Sequence, residues 1–292
     1  MDKCACGNDA ITISVDADPH PLCEEHFIPY FEKKVEDTIA RYHMLTKEQD
    51  IAVACSGGKD SMTILLLLHH WGYKVTGLLI DEGIKGYRDK TIEEFDAICQ
   101  EQGIKTKKLS YAHDIGKSLD TMLADDPKRR SCTVCGIFRR HLLQKGAEGF
   151  DVLVTGHNLD DEAQAIMMNL LKGQVELLAR LGPVHASSKG FVPRVKPLYF
   201  CSEREVRIYT LVKSIPIQYR TCPHAPGAFR DEFSHGLNRL EDDCPGSKWH
   251  LVHSFLEMDL AHGEEMRICT LCGNPSAGAV CKACMLKKEV LA

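Results

Sequence analysis

The feature that most constrains this chain is a short apolar run, Ile51-Ala52-Val53-Ala54-Cys55, which stops at Ser56-Gly57-Gly58-Lys59-Asp60-Ser61 and resumes as Met62-Thr63-Ile64-Leu65-Leu66-Leu67-Leu68. The pattern predicts a buried strand, a glycine turn and a helix. Paired glycines lack Cβ atoms, so their backbone can fold tightly and bring N–H groups against an anion at the N-terminus of the following helix. The expected ligand is a phosphate, cradled by Ser56, Gly57, Gly58, Lys59, Asp60 and Ser61. The spacing excludes the Walker A loop, whose glycines are separated by four residues ahead of the Lys, and the dinucleotide fingerprint G-x-G-x-x-G.

The flanking chain repeats the strand-helix alternation. A second apolar run, Val75 to Ile80, ends at Asp81; a helix is predicted over about 89–102, a weaker strand near 106–109, and another strand, Asp151 to Thr155, runs into Gly156-His157-Asn158-Leu159-Asp160-Asp161-Glu162. Such alternation predicts an α/β fold with a parallel sheet flanked by helices, its ligands gathered at the carboxyl ends of the strands. Ser56, Asp81 and Gly156 fall at such ends. Asp81 could hold ribose or adenine, or only cap a loop. Gly156 permits a close approach, and the three carboxylates after it could place Mg²⁺ or orient a leaving group, although acidic residues also suit a helix start. Upstream, Phe31, Val35, Ile39 and Tyr42 form a helical stripe beginning at Pro29, and Ser202-Glu203-Arg204-Glu205 reads as a capping box. Residues 112–131 carry little pattern.

A chain of 292 residues can bury one large core and carry appendages, and 44% hydrophobic with 26% charged residues is ordinary for a globular protein. No stretch of eighteen apolar residues occurs, and the start, Met1-Asp2-Lys3-Cys4, is not an export leader, so a cytoplasmic location and no membrane contact are expected. The net charge of -5 means that an RNA partner would need a local basic patch. Lys128-Arg129-Arg130, with Arg139 and Arg140, surrounds a cysteine pair and would suit a polyanion.

Fourteen cysteines is a high count, and ten of them stand in close pairs or beside His, which favours metal over disulfides. Cys4, Cys6, Cys23 and His26 make one closed zinc set within residues 1–28, with His20 as a competing ligand; Cys269, Cys272, Cys281 and Cys284 make a zinc ribbon. Cys55, Cys99, Cys201 and Cys244 stand alone and read as buried apolar fillers. Cys132, Cys135 and Cys222 remain. Three thiolates suit a third zinc with water or His224, a redox dithiol with a bystander, or a 4Fe-4S cluster with one open iron.

The whole order, from the first finger through Ser56–Ser61, Cys132-x-x-Cys135, Gly156–Glu162 and Cys222 to the terminal ribbon, resembles the tRNA 2-thiouridine synthetases, which are PP-loop ATP pyrophosphatases. The resemblance implies a PP-loop catalytic domain over 29–262 between small zinc modules at 1–28 and 263–292. It also implies a 4Fe-4S cluster on Cys132, Cys135 and Cys222, two Zn²⁺, ATP with Mg²⁺, a tRNA substrate and usually a homodimer. On this reading Lys59 holds ATP phosphates, Asp60 positions the metal, and Asp161 orients substrate or moves a proton. The sulfur donor could be sulfide, a persulfide or a ubiquitin-like thiocarboxylate carrier. Two departures stand out: Arg139 occupies a position where bacterial T-loop members carry Lys, and Cys4-x-Cys6 is shorter than the usual pair. The competing readings are a 2-thiocytidine synthetase, which generally lacks the terminal zinc modules; a lysidine-type ligase, which needs no cysteine trio; and a non-catalytic ATP-sensing RNA-binding zinc protein.

Overall fold

A computed structural model describes residues 2–185, 192–225, 229–260 and 267–292. The chain opens with a hairpin, β1 (Thr12–Ile13) and β2 (Pro21–Leu22), and a long helix, α1 (Glu24–Arg41). The phosphate-loop unit follows as β3 (Asp50–Cys55), α2 (Lys59–His70), β4 (Lys74–Asp81), α3 (Arg88–Glu101) and β5 (Lys105–Ser110). Two short helices, α4 (Tyr111–Asp114) and α5 (Leu119–Asp125), fill the stretch that lacked pattern and lead into α6 (Ser131–Gly146). Then come β6 (Val152–Thr155), α7 (Leu159–Leu171), α8 (Val175–Leu178), β7 (Val184–His185), β8 (Arg194–Val195) and α9 (Glu203–Val212). The chain closes with α10 (Phe229–Asp243), α11 (Ser247–Leu256), the pair β9 (Arg267–Ile268) and β10 (Pro275–Ser276), and α12 (Lys282–Leu291).

Six strands form the central sheet in the order β5-β4-β3-β6-β8-β7, parallel except where β7 turns back against β8. The chain lays β4 and β5 on one side of β3 and β6 and β8 on the other, so the order reverses between β3 and β6. That reversal opens a crevice at the strands' carboxyl ends, where the glycine turn and Gly156 lie side by side. Alternation along β3 assigns the faces. Ile51, Val53 and Cys55 enter a core with Met62, Ile64 and Leu65 of α2, whereas Ala52 packs with Leu78, Leu153 and Ala147 at the end of α6.

The terminal modules are fastened to this core. The first helix starts at Glu24, directly after Cys23 and ahead of the expected Pro29, so one rigid element leaves the cysteine set and buries Phe27, Phe31, Val35 and Ile39. Phe31 stacks on Tyr209 of α9 with centroids 4.4 Å apart. At the other end, α12 packs on α6, and Cys269, Cys281, Ala283 and Val290 share a core with Ile80, Tyr111, Val134 and Phe138. The boundary expected at 262/263 lies outside the described residues. Cys55, Cys99 and Cys201 are buried fillers as expected; Cys244 is exposed at the end of α10, a correction, because the chain there leaves the core for a turn.

Gly156 is where the two halves of the crevice touch: a Cβ there would stand 2.8 Å from Ser61 N and 2.9 Å from Asp60 C, both backbone atoms. Backbone cannot swing aside as a side chain can. Gly156→Ala is therefore expected to lower stability by about 1–3 kcal/mol, read from the urea midpoint, and to weaken ATP binding in the same sample.

Candidate active site

The turn after β3 is built as an anion cradle. Gly57 has φ +80°, a conformation L side chains avoid, and a Cβ on it would also press Thr91 at 3.1 Å. Ser61 Oγ accepts from Ser56 N at 3.1 Å and donates to Gly58 O at 3.0 Å, while Ser56 Oγ accepts from Gly58 N at 3.2 Å. The two serine hydroxyls thus hold the loop open from within, with the first turn of α2 facing the crevice. Lys59 contacts Glu203 at 2.7 Å and Asp60 at 3.2 Å; burial works against its charge, but these two carboxylates raise its pKa. It is a cation held in place for anionic oxygens.

The loop is braced by a buried pair that the sequence reading missed. Arg88, on α3, contacts Glu82 at 2.8 Å and donates to Ser56 O at 2.6 Å and Ile80 O at 3.0 Å, joining the ends of β3 and β4. Both side chains are buried. Nothing in the local pattern of α3 marks Arg88, since a charged residue opening a helix usually faces water.

On the opposite wall the three expected carboxylates have separate fates. Asp160 is buried against Lys248 and accepts from Glu203 N at 2.7 Å; Glu162 is buried against Lys196 at 2.7 Å. Only Asp161 turns to the crevice, where Arg230 of α10 contacts it at 2.9 Å. Burial pushes its carboxyl up to about 6, against the pull of Arg230 and the Asn158 amide and with the push of Asp60 and Glu162. Asn158 connects the two walls: its Nδ2 donates to Asp60 Oδ1 at 2.9 Å while it closes a capping box with Asp161. An Asn three residues before an acid at a helix start was the available signal for that role. Burial also raises the Asp60 pKa, against Lys59 and Asn158. Asp81 uses Oδ1 to accept from Gly83 N at 2.8 Å, the loop-capping alternative.

Cys132 and Cys135 lie in the first turns of α6, with Tyr111 donating to Cys135 O at 2.7 Å; Cys132 Sγ is 3.8 Å from His224 O, just after Cys222. Burial lifts the Cys135 and Cys222 thiols, and each senses the charge of another member of the trio. The three converge but are wider apart than a single ion needs: among the described residues only the two terminal sets are that tight. His224 itself turns to Asp120 at 2.9 Å. Three converging thiols, a widened spacing and no imidazole to close the set suit a cluster with one iron free of protein ligands. Arg139 stands near Cys135 and Glu82, and burial, then Lys196, Arg194, Arg230 and Arg139, hold the His157 imidazole well below its usual range.

Each terminal set has its four ligand atoms within 4.8 Å of one another. Cys6 and Cys23 sulfurs are 3.6 Å apart and Cys272 and Cys281 sulfurs 3.7 Å, close to the edge of about 3.8 Å that a tetrahedron with Zn–S of about 2.3 Å requires. The one-residue spacing of Cys4 and Cys6 thus closes a full site, and His26 joins it at 3.2 Å from Cys23. His20 is engaged by Ser14 instead. Burial opposes ionisation of Cys269, yet amide N–H groups, that of Cys281 at 3.2 Å among them, pull its thiol down to about 6.

Comparison with known proteins agrees with this geometry. A model of the PP-loop domain matches residues 29–221. The chain is 38% identical to the tRNA-5-methyluridine(54) 2-sulfurtransferase of Thermus thermophilus, covering 91% of this chain and 84% of that one. It is 33% identical to the tRNA 2-thiolation protein NcsA of Haloferax volcanii, with 98% of each covered. The chain belongs to the PP-loop tRNA 2-thiolation family. A solved member, the U34-tRNA thiolase NcsA of Methanococcus maripaludis with its 4Fe-4S cluster, superposes at a TM-score of 0.86 with 34% identity, over 99% of this chain and 96% of that one. No helix among the described residues is long and apolar enough to cross a membrane.

Asp161 supplies a pH signature. Its pKa in the folded chain, about 6, exceeds the usual 3.8, so the folded state holds the extra proton and stability falls as pH rises from about 4 to 6. Asp161→Asn is expected to match the wild type near pH 4 and to exceed it in stability at pH 7, measured by denaturant midpoints across that range.

Proposed function

We propose that the chain is a cytoplasmic, ATP-dependent tRNA 2-thiouridine synthetase. The observation that carries this is the presence in one fold of a glycine-turn anion site at the β3/β6 crevice and a convergent cysteine trio on α6 and around Cys222. One site prepares a leaving group and the other faces it with sulfur chemistry.

The loop amides of Ser56–Ser61 and Lys59 hold the ATP phosphates, and Asp60 would help to hold Mg²⁺. Uridine O2 attacks the α-phosphate and pyrophosphate departs, its growing charge met by Lys59 and the amides at the N-terminus of α2. The product is an O2-adenylated uridine, whose AMP leaves more readily than oxide. Asp161, hydrogen-bonded through Asn158 to the Asp60 wall, orients the base or carries the proton during this exchange. A 4Fe-4S cluster on Cys132, Cys135 and Cys222 would supply deprotonated sulfur to C2, with AMP as leaving group. Arg139 cannot relay a proton near neutral pH, so it acts by charge. Cys4, Cys6, Cys23 and His26, and Cys269, Cys272, Cys281 and Cys284, would each hold a Zn²⁺ that stiffens α1 and α12, and the protein works as a homodimer fed by sulfide, a persulfide or a thiocarboxylate carrier.

Anaerobically purified protein, given unmodified tRNA, ATP, Mg²⁺ and sulfide, is expected to yield 2-thiouridine by mass spectrometry of digested nucleosides, and none when ATP is omitted. Formation of 2-thiocytidine instead would assign the neighbouring activity. Cys222→Ala is expected to lose at least a hundredfold in thiolation while pyrophosphate release persists; full activity in that variant would remove Cys222 from the sulfur-bearing set.

A further inference from the structure

Several arginines of this chain are paired: Arg88 with Glu82, Arg129 with Asp126, Arg220 with Glu94 and the exposed Arg230 with Asp161. Arg139, Arg140 and Arg194 are not. Among the described residues these three have no ion pair and no side-chain hydrogen bond, and Arg194 Nε is buried without a partner. They are nevertheless gathered. Burial lowers the pKa of Arg140 and of Arg194; Arg139 adds to this at Arg140 and Arg140 at Arg194, against the pull of Cys135 on the first and of Glu162 on the second. His157 lies in the same field: desolvation first, then Lys196, Arg194, Arg230 and Arg139, hold its imidazole well below the usual range.

The fold imposes this gathering. Arg194 on β8 pairs in register with Leu153 on β6, so both project to one face of the sheet, and Leu153 packs there with Leu143 and Ala147 of α6. Arg140 on α6 lies back along its own helix over Gly136, where a Cβ would come within 3.2 Å of Nη1. Both guanidiniums therefore lie on the α6 side of the sheet, the side carrying Cys132 and Cys135. The phosphate cradle opens α2, which packs on the other face. Glu162, the carboxylate acting on Arg194, is already taken by Lys196.

Cys135 and Glu82 act on Arg139 and Glu162 acts on Arg194, but none closes an ion pair, so three cations stand together with donors to spare in a chain of net charge -5. An external polyanion would take up those donors. We propose that Arg139, Arg140 and Arg194 form a seat for a phosphodiester of the RNA strand flanking the base to be thiolated. The reading rests on the tRNA thiolation proposed above. Guanidinium forks match phosphate oxygens in pairs, and a phosphate held by Arg140, which lies over Gly136, would sit beside Cys135. ATP phosphates have their own donors across the sheet, so the seat serves RNA.

The test uses the full-length holoprotein, an unmodified tRNA transcript and ATP. Arg140→Gln and Arg194→Gln are each expected to weaken tRNA binding about tenfold at low salt and to reduce the slope of log K against log salt by about one. ATP affinity should stay within twofold of wild type, and the thermal midpoint should hold or rise as repulsion is relieved. Unchanged tRNA affinity, or a loss confined to ATP, would overturn the seat while leaving tRNA thiolation in place. A midpoint lowered by several degrees would assign these arginines to the fold and also overturn it. Failure of the wild type itself to bind tRNA would sink the thiolation reading, and the seat with it.

Discussion

The structure depends on one contact between backbones. The loop after β6 rests on the first turn of α2 at Gly156, too near for even a methyl group. This contact is possible because the strand order reverses between β3 and β6, so two loops from distant parts of the chain leave the sheet side by side. Everything chemical follows from that approach. Asn158 can reach Asp60 at 2.9 Å only because its own loop lies there, and Asp161 acquires its raised pKa because it is enclosed beside Asp60 and Glu162.

Around this contact the charges fall into two kinds. Arg88 with Glu82, Lys196 with Glu162, Lys248 with Asp160 and Lys34 with Glu205 are mutually neutralising pairs in the interior, and all but the first tie elements far apart in sequence. Removing one partner of such a pair strands the other, at a cost of about 3–5 kcal/mol. These pairs hold the walls of the crevice. Lys59 and Asp161 lie at its surface, each contacted by oppositely charged groups that an incoming substrate can replace.

The terminal modules extend the same logic to the ends of the chain. Neither hairpin is long enough to hold itself by burial, yet each hands directly to a helix that is packed on the central domain. A metal ion in each cysteine set would therefore stiffen α1 and α12, and through α12 the helix bearing Cys132 and Cys135. Lys287 donating to Asp114 O at 2.8 Å and Asn274 meeting His141 at 3.1 Å complete that attachment.

What the sequence by itself determined was what local rules control. Glycine pairs, strand-helix alternation, the Ser202 capping box and cysteine spacing each act within a few residues, and the cradle, the parallel sheet and both terminal cysteine sets stand where those signals predict. Helix starts were less legible: Glu24 opens α1 five residues early, with Phe27 already buried in the core one turn ahead of Phe31. The tertiary structure alone decided which of Asp160, Asp161 and Glu162 faces the crevice, since that depends on lysines at 196 and 248 that no local pattern connects to them. It alone set Arg88 under the loop, Arg230 over Asp161, and Arg194 beside Arg140. Hydrophobic period and turn chemistry are encoded locally, whereas the partner of a buried charge is chosen by whatever distant element the packing brings within about 4 Å, the reach at which an ion pair matters.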